Sequence, residues 1–114
     1  MKRRRARVRA ARRLLRSAEK DYARAEANAR KLAQAATDAR HAAGTAEALW
    51  QEIESAESRG GPSDELAALR DDTLAQLASF RAIERTCSEQ LVEFELLKEK
   101  FRRHAANAAE LASD

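Results

Sequence analysis

Apolar side chains recur along this chain with the seven-residue rhythm of a coiled coil. Counted from Val8, one column reads Val8, Leu15, Tyr22, Ala29, Ala36, Ala43 and Trp50. The second reads Ala11, Ala18, Ala25, Leu32, Ala39, Ala46 and Ile53. All 14 positions are apolar and charged residues fill most places between them, which predicts one helix over about residues 5–58. A second stretch carries a looser version of the rhythm. Its frame reads Leu66, Leu69, Thr73, Gln76, Phe80, Ile83, Cys87, Gln90, Phe94, Leu97, Phe101, His104, Ala108 and Leu111, ten of 14 apolar. Gln76 and Gln90 each have an apolar neighbour, Leu77 and Leu91, able to take over the seam. This stretch predicts a helix over about residues 64–112.

Between the two lies Arg59-Gly60-Gly61-Pro62-Ser63. Glycine past a helix end supplies the left-handed residue that closes the last turn, and proline cannot continue a helix interior. Ser63 is a good N-cap, and Asp64 and Glu65 set negative charge against the positive end of the next helix. A turn over 59–63 between two nearly equal amphipathic arms makes them antiparallel neighbours. The expected fold is all-α: residues 1–114 form a single two-helix antiparallel coiled-coil hairpin. With the turn centred near residue 60, Ala36 falls near Arg85 and Ala29 near Val92. The alanine-rich stretch Ala25 to Ala46 then faces the bulkier Phe80, Ile83, Cys87, Leu91 and Phe94, and small against large interdigitates well.

Composition narrows the picture. Of 114 residues 27 are alanine, and the aromatics are only Tyr22, Trp50, Phe80, Phe94 and Phe101, so a thick globular core is not expected. Each buried Phe contributes about 1.5–3 kcal/mol, against about 1–2 kcal/mol of backbone entropy per ordered residue. The hairpin is expected to be marginal alone and to gain stability from partners. No segment approaches the roughly 18–20 uninterrupted apolar residues that cross a bilayer. No apolar run follows the opening charges, so they do not read as a secretory signal. Their loose likeness to a transit peptide is outweighed by their place in the heptad frame. A single cysteine, Cys87, fits a reducing cytoplasm.

Charge is unevenly spread. Residues 1–16 carry nine cations and no acid, while the other 98 carry 13 positive and 19 negative charges. Such a basic arm suits an acidic protein surface, and it could also hold nucleic acid by electrostatics. It lacks aromatics for base stacking and any reader motif, so a protein partner ranks first. Chemistry is sparse. Gly60-Gly61-Pro62 lacks the Lys-Ser/Thr of a phosphate loop. His41 and His104 fall on different arms without ligand spacing, and a two-helix hairpin has no cleft that excludes water. Neither catalysis, nor a cofactor, a metal or a small-molecule substrate, is expected. Cys87 reads as a small seam residue, with intermolecular crosslinking the alternative. Trp50 reads as packing near the turn, with a partner contact through its exposed edge the alternative.

The basic opening RVRAARRLLRSAEKDYARAEA (Arg7 to Ala27), the hairpin, and the charged closing helix LVEFELLKEKFRRHAANAAELASD (Leu91 to Asp114) together resemble one known family. It is the small stalk protein of bacterial type III export machines, of the flagellar FliJ and injectisome YscO/HrpB type. The resemblance covers most of the chain, which is short for that family. It implies a non-enzymatic stalk whose paired termini enter the export ATPase hexamer while the other end approaches the export gate protein, some members also holding secretion chaperones. Carried onto this chain, the ATPase-binding residues are Arg4, Arg5, Arg9, Arg12, Arg13, Arg16, Arg102 and Arg103, with Phe101 beside them. The gate surface is Trp50 and the region from Leu69 to Phe80. The location implied is cytoplasmic, peripheral to the inner membrane through partners, with ATP hydrolysed by the partner.

Two further readings stand beside it. One is a nucleic-acid-associated coiled coil using residues 2–16 as its arm. The other is a structural coiled coil, self-associating into a four-helix bundle through Leu74, Leu77, Leu91 and Leu96.

Overall fold

The computed structural model describes residues 2–113; Met1 and Asp114, included in the expected span, lie outside the described residues. The chain is an all-α two-helix hairpin: α1 spans Lys2–Gly60 and α2 spans Asp64–Ser113. Both helices outrun the expected bounds, most clearly at the start, where α1 begins at Lys2 rather than near residue 5. No strand occurs among the described residues.

The turn is built as its residues dictate. α1 continues through Gly60, and Gly61 takes φ +81°. Its N–H donates to the Glu57 carbonyl at 2.9 Å, the single closing bond of a left-handed helix cap. Pro62 follows, and the Ser63 hydroxyl accepts from the Leu66 N–H at 3.1 Å, capping α2 three residues in. Asp64 and Glu65 then occupy the first turn of α2, where the helix dipole favours acids. The turn is therefore centred on Pro62, two residues later than residue 60. A turn at 60 would place Arg81 opposite Arg40; instead the Arg40 Nε meets Glu84 at 2.8 Å. Val92, expected near Ala29, is 60% exposed.

The heptad frame of α1 holds throughout: none of its 14 seam residues is exposed, and Ala11, Ala18, Ala25, Ala29, Ala36, Ala39, Ala46 and Ile53 are buried. On α2 one column keeps its place, Leu66, Thr73, Phe80, Cys87, Phe94, Phe101 and Ala108. The other is displaced by one residue. The seam takes Arg70, Leu77, Glu84, Leu91, Lys98, Ala105 and Ala112. The expected Leu69, Gln76, Ile83, Gln90, Leu97, His104 and Leu111 are all exposed. Leu77 and Leu91 take over from the two glutamines as their position allows. The physical reason lies in what the seam can satisfy. Two glutamine amides and an imidazole would be lowered onto seam positions of α1 that are mostly alanine, and burying polar groups without hydrogen bonds is costly. Arg70, Glu84 and Lys98 instead lay their stems over the seam and carry their charges to its edge.

Contacts divide the chain into two units, each containing part of both helices. The first comprises Met1–Lys31 and Gln90–Asp114, the second Leu32–Glu89 with the turn. In the first, buried Ala11, Ala18, Ala25 and Ala29 belong to α1 and buried Ala108 to α2, with Leu91, Phe94 and Phe101 half-buried. In the second, Ala36, Ala39, Ala46 and Ile53 of α1 and Thr73 and Leu77 of α2 are buried. Thr73 is the most enclosed side chain, and its hydroxyl donates to the Leu69 carbonyl at 2.7 Å within its own helix.

Candidate interaction surfaces

Heptad letters make the surfaces plain. On α1 the columns from Val8 and Ala11 are a and d; on α2 those from Arg70 and Leu66 are a and d. In an antiparallel pair, the e positions of both helices share one flank of the seam and the g positions share the other.

In the second unit the e flank is closed by ion pairs. Arg40 (e) holds the seam residue Glu84 at 2.8 Å, and Arg81 (e) reaches Glu47 (e) at 3.6 Å. Arg70 and Glu57, both at a, pair at 3.1 Å. In the first unit the third charged seam residue, Lys98, sets its ammonium 6.0 Å from the centre of the Tyr22 ring and 3.5 Å from Glu95. Arg70, Glu84 and Lys98 thus recur every second heptad, each with a counterpart.

The first unit carries the basic surface. Arg5, Arg9, Arg12, Arg13 and Arg16 are exposed and form no ion pair among the described residues. Arg5 and Arg12 lie at e, Arg9 and Arg16 at b and Arg13 at f, so they cover one continuous side of α1. Arg4, with Arg3, Arg7, Val8, Leu14 and Leu111, lines an open groove on the opposite side. Arg102 and Arg103 are differently placed, because both turn to Glu99, at 2.7 and 3.6 Å. The hydrogen bond from Arg102, then the charges of Arg102 and Arg103, hold the Glu99 carboxyl below its ordinary range despite opposing desolvation. The same bond raises Arg102. These two arginines are partly neutralised at home, unlike the five on α1.

Trp50, Leu69 and Phe80 all fall in the second unit but do not form one patch. Trp50 and Phe80 are half-buried seam residues, whereas Leu69 stands 44% exposed at g. Phe80 lies 11 residues along α2 from Leu69, about 16 Å by helical rise. The Trp50 Nε1 is buried without an acceptor. Cys87 is a half-buried free thiol. His41 is exposed, and His104 packs edge-on to Phe101 at 6.4 Å between centroids. No cluster of three or more metal-ligating side chains occurs among the described residues. Nor, among them, is any helix long and apolar enough to cross a membrane.

One exposed apolar surface was not read from the sequence, because its four α2 residues were assigned to the seam. Leu14 and Leu49 of α1, and Leu69, Ile83, Leu97 and Leu111 of α2, all occupy g positions and all are exposed. Their signal was the spacing itself: Leu69, Ile83, Leu97 and Leu111 recur every 14 residues, beside Arg70, Glu84, Lys98 and Ala112.

No family model, curated protein or solved structure matches the chain.

Proposed function

We propose that the chain is a non-catalytic helical-hairpin binding module whose first unit docks on an acidic protein surface. We take that surface to be the lumen of a type III export ATPase ring. One observation carries the reading: five exposed arginines along one side of α1 lack intrachain ion partners among the described residues. They lie in a stretch of 16 residues without an acid. A cationic face of this kind steers docking onto an acidic surface and speeds association. The likeness of the opening and closing segments to the export stalks supplies the identity of the ring. On this reading ATP is hydrolysed by the partner, and the second unit, which contains the turn, meets the gate. The protein then works in the cytoplasm, held at the inner membrane through its partners.

Turnover of the cognate export ATPase, measured with and without this chain at several ionic strengths, tests the proposal. Stimulation that fades with salt is expected, with loss on changing Arg5, Arg9, Arg12 and Arg16 together to Glu. An ATPase indifferent to the chain at low salt overturns it. Tight binding of duplex or single-stranded DNA by the same arginines would transfer the basic face to nucleic acid instead.

A further inference from the structure

The g flank of each unit is an exposed apolar stripe with a charged margin, and the margins of the two units are opposite in sign. In the first unit the stripe is Leu14, Leu97 and Leu111, exposed by 61, 37 and 59%. In the second it is Leu49, Leu69 and Ile83, exposed by 38, 44 and 48%. Among the described residues, these six are the majority of the exposed large aliphatic side chains; Leu74, Val92 and Leu96 lie elsewhere on α2. Apolar side chains gathered on one flank mark a binding surface more than scattered ones do.

The c positions border g on the helix surface. Along the first unit they supply Arg3, Arg24, Lys31 and Lys100, with Arg7 at g itself; Glu93 at c and Asp21 at g are the exceptions. Along the second they supply Asp38, Glu52, Glu65 and Asp72, with Arg59 as the exception. All but the half-buried Asp21 are exposed, and the four acids of the second unit form no ion pair among the described residues. The division extends to whole units. The first holds 17 basic and 8 acidic residues, net +9, and the second 5 and 11, net −6.

We infer that the occupant of this flank is a second copy of the chain, whose acidic second unit packs its g stripe on the basic first unit of this one. The contact has three large aliphatic residues on each side at its centre and opposite charges at its margin, the ordinary anatomy of a protein interface. It is self-complementary, as a two-fold dimer requires, since each copy carries both halves of the match. A like-with-like arrangement, first unit on first unit, would set net +9 against net +9. The inference goes beyond the proposed function and does not rest on it. Arg5, Arg9, Arg12 and Arg16 lie at e and b, away from g, so the face proposed for the acidic partner stays uncovered in the dimer.

Sedimentation velocity of the full chain over a wide range of concentration is the test. A monomer–dimer equilibrium is expected at low salt, with Kd raised at least tenfold near 1 M salt, where the Debye length falls to about 3 Å. Changing Leu14 and Leu97 together to Glu should abolish dimerisation, because Glu would face the acidic margin. Changing Leu69 and Ile83 together to Lys should abolish it from the other side. An equimolar mixture of these two variants should dimerise again, since one interface is native and the other sets Glu against Lys. Leu96→Glu, at an outward position 67% exposed, should leave Kd unchanged. Far-UV circular dichroism of every variant should match the parent, as each altered side chain is exposed. A chain that stays monomeric at all concentrations overturns the inference. So does a mixture that stays monomeric, or dimerisation untouched by both paired variants.

Discussion

Leu77→Ala distinguishes the observed register of α2 from the one its apolar pattern suggests. Leu77 is 7% exposed and is the large aliphatic residue that α2 buries in the second unit. Ile83, which the simpler frame sets in the seam, is 48% exposed. Truncating a buried leucine costs about 2–5 kcal/mol, depending on how far the surroundings collapse. Only two helices line this seam, so collapse is easy and the lower end applies, about 2–3 kcal/mol. Ile83→Ala forfeits burial of half a side chain, about 1 kcal/mol or less.

The assay is urea unfolding followed by tryptophan fluorescence, at concentrations low enough to keep the chain monomeric. Trp50 is the single tryptophan and belongs to the same unit as both substitutions. With a urea m-value of about 1–1.5 kcal/mol/M, the midpoint should fall by about 2 M for Leu77→Ala and by under about 1 M for Ile83→Ala. Equal costs, or the reverse order, would refute the displaced register and with it the placing of the g stripe on the surface.

Three other outcomes follow from particular atoms. Gly61→Ala should destabilise the hairpin by about 1 kcal/mol through backbone strain alone, because φ is +81° while an added Cβ would meet nothing within 4 Å. Gly61→Asn, which tolerates that conformation better, should recover part of the loss in thermal melts. Trp50→Phe should be neutral or stabilising, since it deletes a buried N–H that has no acceptor, whereas Trp50→Ala should cost about 3 kcal/mol, both read by circular dichroism. Glu99 should titrate by carbon NMR below an ordinary glutamate, and Arg102→Ala should move its midpoint up. Because the folded pKa is lowered, the stabilisation is complete above the unfolded pKa and is lost as pH falls through the folded one.

The helices, the turn and the antiparallel pairing were legible in the sequence for local reasons. Gly61, Pro62 and Ser63 each admit few conformations, and α1 offers no competing apolar column to Val8 and Ala11. α2 offers two. The column from Leu66 to Ala108 is flanked by the series through Leu69 and by the series through Arg70, and counting apolar residues favours the first. Choosing between them needs the partner helix. Only with α1 in place do Glu57, Tyr22 and Arg40 stand ready for Arg70, Lys98 and Glu84. The same gap hid the candidate surfaces. The arginines of α1 were visible as a run, but which of them lack ion partners depends on the neighbouring helix, and Arg102 and Arg103 are engaged by Glu99.

The charged seam residues and the exposed stripe are two consequences of one arrangement. At residues 69–70, 83–84 and 97–98 an aliphatic and a charged side chain stand next to each other, and α1 receives the charged one. Ion pairs at the rim of a seam contribute little to stability, since partly exposed pairs are worth about 0–1 kcal/mol. An aliphatic side chain in the same place would bury more area at the core value of about 25 cal/mol per Å². The hairpin therefore forgoes intramolecular burial at three places along α2 and keeps that apolar surface on its g flank. Stability held back from the monomer in this way becomes available to an interface, which ties the thinness of the seam to the binding role proposed for the chain. Replacing Arg70, Glu84 and Lys98 together by Leu would test the link: the monomer should gain stability in urea while losing its fixed register, which hydrogen exchange along α2 would report. A triple variant no more stable than the parent would show instead that the ion pairs are the seam's main support.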